Sequence, residues 1–158
     1  MSTHALSVQT YEQINELLTK TFATILRVEE KSISLHDMDA LTISELHTID
    51  AIGLEGDVPM KQIASSLGIT MATATVAISK LVDKGYAARF RPENDRRKVL
   101  VSLTKKGKLA RCAHEKFHKQ MIDEALSGLT SEEIGILADA LVKIKNFFES
   151  QETQLEGT

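Results

Sequence analysis

Residues 59–103 read PMKQIASSLGITMATATVAISKLVDKGYAARFRPENDRRKVLVSL, and the punctuation of this stretch decides the fold. Pro59 suits the opening of a short helix over 60–67, with Ile63, Ala64 and Leu67 facing inward and Gly68 ending it. Thr70 has the side chain to cap a second helix running to about Lys84, with Ala74, Ile78, Leu81 and Val82 on its apolar side and Gly85 as its stop. Two short helices across a tight glycine turn make a helix-turn-helix candidate. Residues 87–91 and 99–103 are then short extended runs on either side of the turn-rich Pro92-Glu93-Asn94-Asp95, so a β-hairpin follows the second helix directly.

Outside this stretch the periodicity is helical. Over residues 8–31, Tyr11, Ile14, Leu18, Phe22, Ile25 and Val28 recur at three- and four-residue steps, the pattern of a long amphipathic helix. Thr42 and Glu45 are spaced as a capping box for a helix with Ile43, Leu46, Ile49 and Gly53 on one face. Thr104 opens another long helix with Leu109, Ala113, Phe117, Met121 and Ala125 on one side, interrupted near Gly128. Thr130 and Glu133 then cap a last helix striped by Ile134, Leu137, Leu141, Ile144 and Phe148, with a polar tail from about Gln151. The expected fold is mainly α (α+β), a winged helix-turn-helix within a single domain over 1–158. Residues of about 42–103 form the winged part, flanked by long helices of about 8–32 and 104–150.

A hydrophobic content of 42% in 158 residues is enough for one buried core. No run of about 18 apolar residues is present and no secretory leader pattern opens the chain, so the expectation is a soluble, cytoplasmic protein without membrane contact. Cys112 is the single cysteine, which excludes an intramolecular disulfide or a CxxC pair. The net charge of −3 conceals a strong asymmetry. Residues 80–120 hold thirteen basic against four acidic side chains, and the rest of the chain holds six against eighteen. A basic centre in an acidic frame is what a localised phosphate-binding face leaves in a sequence.

Around the second helix of the motif, Ala72, Thr73, Val76, Lys80 and Asp83 point away from Ile78. Small and hydroxylated side chains let a helix enter a major groove and meet base edges, methyls and phosphates. Thr70 and Thr75 extend that face. The hairpin end carries Arg91, Asp95, Arg96, Arg97 and Lys98, a cationic tip suited to a minor groove, with Asp95 spaced to hold the Arg97 guanidinium. These residues form the candidate site for double-stranded DNA. There is no HExxH, nucleophile elbow or phosphate-binding glycine loop, so no catalytic residue and no cofactor is expected.

Leu67-Gly68-Ile69-Thr70, Leu81-Val82-Asp83-Lys84-Gly85-Tyr86, Asp95-Arg96-Arg97 and Leu103-Thr104-Lys105-Lys106-Gly107 together resemble the core signature of the MarR family, in element order over nearly the whole chain. The resemblance implies a homodimeric repressor formed through the first and last helices, a pseudo-palindromic operator, and effector sites between the dimer helices and the DNA-binding lobe. Many members carry arginine where this chain has Val76. Residues 45–53 and 117–121 further resemble the FabT subfamily of fatty-acid-synthesis repressors, which implies acylated acyl carrier protein as co-repressor. Phe22, Ile25, Leu26, Ile49, Ile52, Phe117 and Met121 are the candidates for an acyl slot, and Lys105, Lys106, Lys108 and Arg111 for docking an acidic carrier.

The alternative is a regulator of the same family answering to a different small ligand, a metal or an oxidant. His114 and His118 stand four apart on one helix, with Cys112, His36 and His47 as further donors, but two histidines do not make a site and no metal is assigned. Cys112, placed on the apolar side of its helix, is expected to be buried and inert.

Overall fold

The computed structural model describes residues 7–35, 41–93, 95 and 98–156. Its elements run α1 (Val8–Leu35), α2 (Ile43–Ile52), β1 (Val58–Pro59), α3 (Met60–Ser66), α4 (Met71–Asp83), β2 (Ala87–Phe90), β3 (Leu100–Leu103), α5 (Lys105–Ala125) and α6 (Ser131–Glu156). The chain divides into two compact units, Met1–Phe117 and His118–Thr158. Among the described residues no single helix is long and apolar enough to cross a membrane.

In the first unit the core joins Leu46, Ile49 and Ile52 of α2 to Ile63 of α3, Ile78 and Leu81 of α4, and Val101 and Leu103 of β3. The three- and four-residue spacing on each helix brings these side chains to a common centre. Thr42 caps α2 through a complete capping box: its hydroxyl accepts from the Glu45 amide at 3.3 Å, and the Glu45 carboxylate accepts from the Thr42 amide at 2.8 Å. Gly53, which the periodicity places on the apolar face, is the glycine at which this helix stops before Asp57, at φ +72°, in backbone space that disfavours a side chain.

The sheet differs from the expected hairpin. It has three antiparallel strands in the order β1-β3-β2, with Val58 opposite Val101 and Ala87 opposite Leu103. Pro59 therefore both ends a strand and starts α3. A two-residue strand has too few positions to show alternation, and proline is tolerated at such an edge because its missing N–H need not enter the ladder.

The face of α5 that meets the core also differs. Gly107, Ala110 and His114 are buried, whereas Leu109, which opens the apolar stripe, is 64% exposed. Tyr86 sets this rotation: its carbonyl lies where a Cβ at position 107 would sit, 2.0 Å away, so α5 can approach β2 only through a glycine. In the second unit, Thr130 caps α6 by the expected box with Glu133, and the helix continues to Glu156, where a tail had been expected from Gln151.

Candidate nucleic-acid interface

Helix α4 presents two chemically opposed faces. Ala74, Ile78 and Leu81 are fully buried, while Ala72, Thr73, Val76 and Lys80 are exposed as the sequence predicts. Thr70 caps the helix, its hydroxyl accepting from the Thr73 amide at 3.2 Å and lying 2.9 Å from the Thr73 hydroxyl. The Thr75 hydroxyl donates to the Met71 carbonyl at 2.8 Å, so what it can offer a ligand is its methyl group and its acceptor lone pairs. A groove of about 500 Å³ runs along this face, with Ala72, Thr73, Val76, Ala77 and Lys80 on one side and Thr42, Ser44 and Glu45 on the other.

The setting of α4 is fixed at its C-terminal end. Lys84 places its ammonium 2.7 and 2.8 Å from the two oxygens of Glu45, 39 residues earlier in the chain. Burial pushes the Glu45 carboxyl upward in pKa. The hydrogen bonds from Lys84 and the Thr42 amide, with the lysine charge, outweigh that and hold it below the ordinary 4.5. Lys106 Nζ donates to the Lys84 carbonyl at 3.1 Å and lies 4.1 Å from the centre of the Tyr86 ring, putting a cation at the negative end of the helix. The sequence marks Glu45 only as a capping residue; nothing local signals its partner on α4.

The wing strands pair in register from Ala87 with Leu103 to Phe90 with Leu100. Arg91 and Lys98 are exposed, Asp95 is half-buried, and the turn is drawn in by the Asp95 amide donating to the Pro92 carbonyl at 3.2 Å. The Asp95 carboxylate reaches Lys98 Nζ at 3.4 Å. Arg96 and Arg97, and with them the expected pairing of Asp95 with Arg97, lie outside the described residues. Arg89 of β2, not among the predicted contacts, adds an exposed cation on the same hairpin.

The candidate effector residues occupy different surroundings. Ile49 and Ile52 are fully buried in the core, Phe22 is exposed, and Ile25, Phe117 and Met121 are half-buried. Leu26 lines a groove of about 580 Å³ between α1 and α2 with Ile33, Leu41 and Ile43. Of the four basic residues considered for carrier docking, Lys106 is engaged at Tyr86, and Arg111 lies between Asp50 at 3.8 Å and Glu115 at 3.6 Å. Lys105 and Lys108 are exposed. Cys112 is exposed and not buried as expected, because the inward face of α5 is the one carrying Gly107, Ala110 and His114. Glu29, absent from the sequence-based donor set, comes together with His47 and His114; His36 lies outside the described residues.

The MarR family model matches residues 41–99, from Leu41 through α4, β2 and the wing turn to the residue before β3. YwaE, an HTH-type transcriptional regulator of Bacillus subtilis (strain 168), is 30% identical over 120 residues, covering 75% of this chain and 68% of that one. MhqR of the same organism, also an HTH-type transcriptional regulator, is 25% identical over 130 residues, covering 81% and 86% respectively. Among solved structures, Streptococcus pneumoniae FabT in complex with DNA matches with a TM-score of 0.84 and 38% identity, over 89% of this chain and 98% of that one. A MarR family protein from Bacillus stearothermophilus shares the fold, with a TM-score of 0.73 at 18% identity over 92% and 99% of the two chains. With an exposed helix of small and hydroxylated residues beside a basic wing, and with these likenesses, the chain belongs to the MarR family of winged helix-turn-helix transcriptional regulators, proteins that bind DNA and are not enzymes.

Proposed function

We propose that the chain is a homodimeric repressor of fatty-acid synthesis genes whose affinity for a pseudo-palindromic operator rises when a long-chain acylated acyl carrier protein binds. The observation that carries this reading is the groove between α1 and α2. At about 580 Å³ it has the size of a small-ligand site, with Leu26, Ile33, Leu41 and Ile43 as its apolar wall and Arg27, Glu30, Thr42 and Ser44 as its polar groups. The 38% identity to FabT over 89% of the chain supports the choice of ligand. Ile49 and Ile52 back the same lobe, Phe22 and Ile25 precede Leu26 on α1, and Phe117 and Met121 follow on α5. Lys105 and Lys108 offer exposed positive charge to an acidic carrier.

Dimerisation is supported by what a single chain leaves uncovered. Val8, Tyr11, Leu17 and Phe22 of α1 and Ile136, Val142, Phe147 and Phe148 of α6 are all more than half exposed, too much apolar surface on two helices to remain in water. On DNA, α4 enters the major groove with Thr70, Ala72, Thr73, Thr75 and Val76 toward the base edges, and Lys80 and Lys98 bind phosphate. Arg91, Arg96 and Arg97, the last steadied by Asp95, follow the adjacent minor groove, with half-sites about one helical turn apart.

Lys80→Ala and Arg97→Ala are each expected to weaken operator binding and to lower the slope of log affinity against log salt by about one per protomer. A salt titration that returns the wild-type slope for both removes the phosphate and wing assignments. For the effector, mobility shifts on the chain's own promoter and on fatty-acid synthesis promoters are the test. Palmitoylated acyl carrier protein is expected to tighten binding by about tenfold or more, and the unacylated carrier to leave it unchanged. Equal shifts from both would exclude recognition of the acyl chain.

A further inference from the structure

We propose that Glu29 of α1, His47 of α2 and His114 of α5 form a binding site for a divalent transition-metal ion of the zinc class, oriented by Asp50. Each residue offers one donor atom, and the three atoms lie within 4.8 Å of one another. Bonds of 2.0–2.1 Å at tetrahedral angles require donors about 3.3 Å apart, a spacing that small side-chain rotations reach from here. Two imidazole nitrogens and one carboxylate oxygen suit zinc, with a fourth position left for water or a further ligand.

The surroundings point the same way. Glu29 is 6% exposed and His114 3%, so a carboxylate and an imidazole stand together out of water at one spot. Asp50 Oδ2 accepts from His114 Nδ1 at 2.8 Å, which fixes the ring and assigns Nε2 as the ligating nitrogen. A carboxylate behind a histidine is the usual outer partner of a metal-bound imidazole, where it sets the tautomer and raises ligand basicity. His47 and His114 stand with ring centres 6.1 Å apart and planes tilted by 46°, so neither ring stacks flat over the other and closes the space between them.

The three ligands come from three helices. Glu29 belongs to a long helix outside the winged part, whereas His47 and Asp50 lie on α2, the helix whose Glu45 holds α4 in place. A bound ion therefore ties α1 and α5 to the element that sets the DNA-reading helix. None of the three donors is among the residues lining the acyl groove, so metal uptake is tested independently of the acyl reading.

The test is metal titration of untagged, chelator-treated full-length protein with zinc, and with cobalt as a spectroscopic probe. Wild type is expected to take up one ion per chain, with cobalt giving the intense visible absorption of a four-coordinate centre. Glu29→Gln and His47→Gln, checked as folded by circular dichroism, are each expected to lose about 100-fold or more in affinity, and Asp50→Asn about tenfold. Cys112→Ser is expected to bind as wild type does. Substoichiometric uptake by wild type, unchanged affinity in both ligand variants, or loss of binding in Cys112→Ser would each overturn the assignment.

Discussion

Gly107→Ala is expected to destabilise the protein by about 3 kcal/mol, read as a fall in denaturant midpoint at constant slope. On an exposed helix the same change would stabilise by up to about 1 kcal/mol, because alanine is the better helix former. Here the sign reverses. The added Cβ would stand 2.0 Å from the Tyr86 carbonyl oxygen and 3.1 Å from Leu103 Cδ2. That carbonyl has little room to retreat, since it accepts from the Thr104 amide at 3.0 Å and the Thr104 hydroxyl at 3.2 Å. Relief therefore requires α5 to lift from the β2–β3 hairpin, and operator affinity is expected to fall with stability. A variant as stable as wild type would show that α5 moves freely over the strands, contrary to this account. The glycine of the Leu-Thr-Lys-Lys-Gly segment is thus explained by a steric contact.

Glu45→Ala is expected to cost about 2 kcal/mol, because it removes half of a capping box and takes the carboxylate from a Lys84 ammonium that water partly screens. Glu45→Gln keeps the cap, since glutamine can accept from the Thr42 amide, and is expected to cost less. The charge adds a pH signature. The Glu45 carboxyl is held below 4.5 in the folded chain, so its contribution is complete above that value and is lost as pH falls through the folded pKa. Thermal melts are expected to show wild type losing its advantage over Glu45→Gln as pH drops below about 4.5. A constant difference between the two across that range would mean that the Lys84 pair contributes nothing beyond the hydrogen bond. Loss of the pair also frees the C-terminal end of α4, so DNA affinity at neutral pH is expected to fall for Glu45→Ala even under conditions where the protein remains folded.

The helices, their caps and the two faces of α4 were legible because each is a local pattern: Thr42 with Glu45, Thr70 with Thr73, and Ala74, Ile78 and Leu81 at helical spacing. What escaped was non-local. β1 is two residues long and is defined only by its pairing with β3. The buried side of α5 was not legible because the apolar stripe begins at the exposed Leu109, while a close approach to Tyr86 brings in the face bearing Gly107 and Ala110, with Ala113 of the stripe packed beside it. Glu29 could not be recruited to the histidines from sequence, since its helix reads as a dimerisation element and its distance from His47 and His114 depends on how three helices meet. The wing cations were legible from composition alone, a charge pattern that requires no knowledge of packing.

The central place of β3 bears on how the chain reaches its native state. It pairs with β2 between near neighbours in sequence, which closes quickly, as does the α3–α4 pair. Joining β1 to β3, like joining Glu45 to Lys84 across 39 residues, must first overcome the entropy of closing a long loop, which the burial of Leu46, Ile49 and Ile52 against Ile63, Ile78 and Leu81 offsets. The local α3–α4 and β2–β3 pairs are therefore expected to form ahead of the long-range contacts that set their mutual orientation, so a nascent chain carries the parts of a DNA reader before it has their alignment.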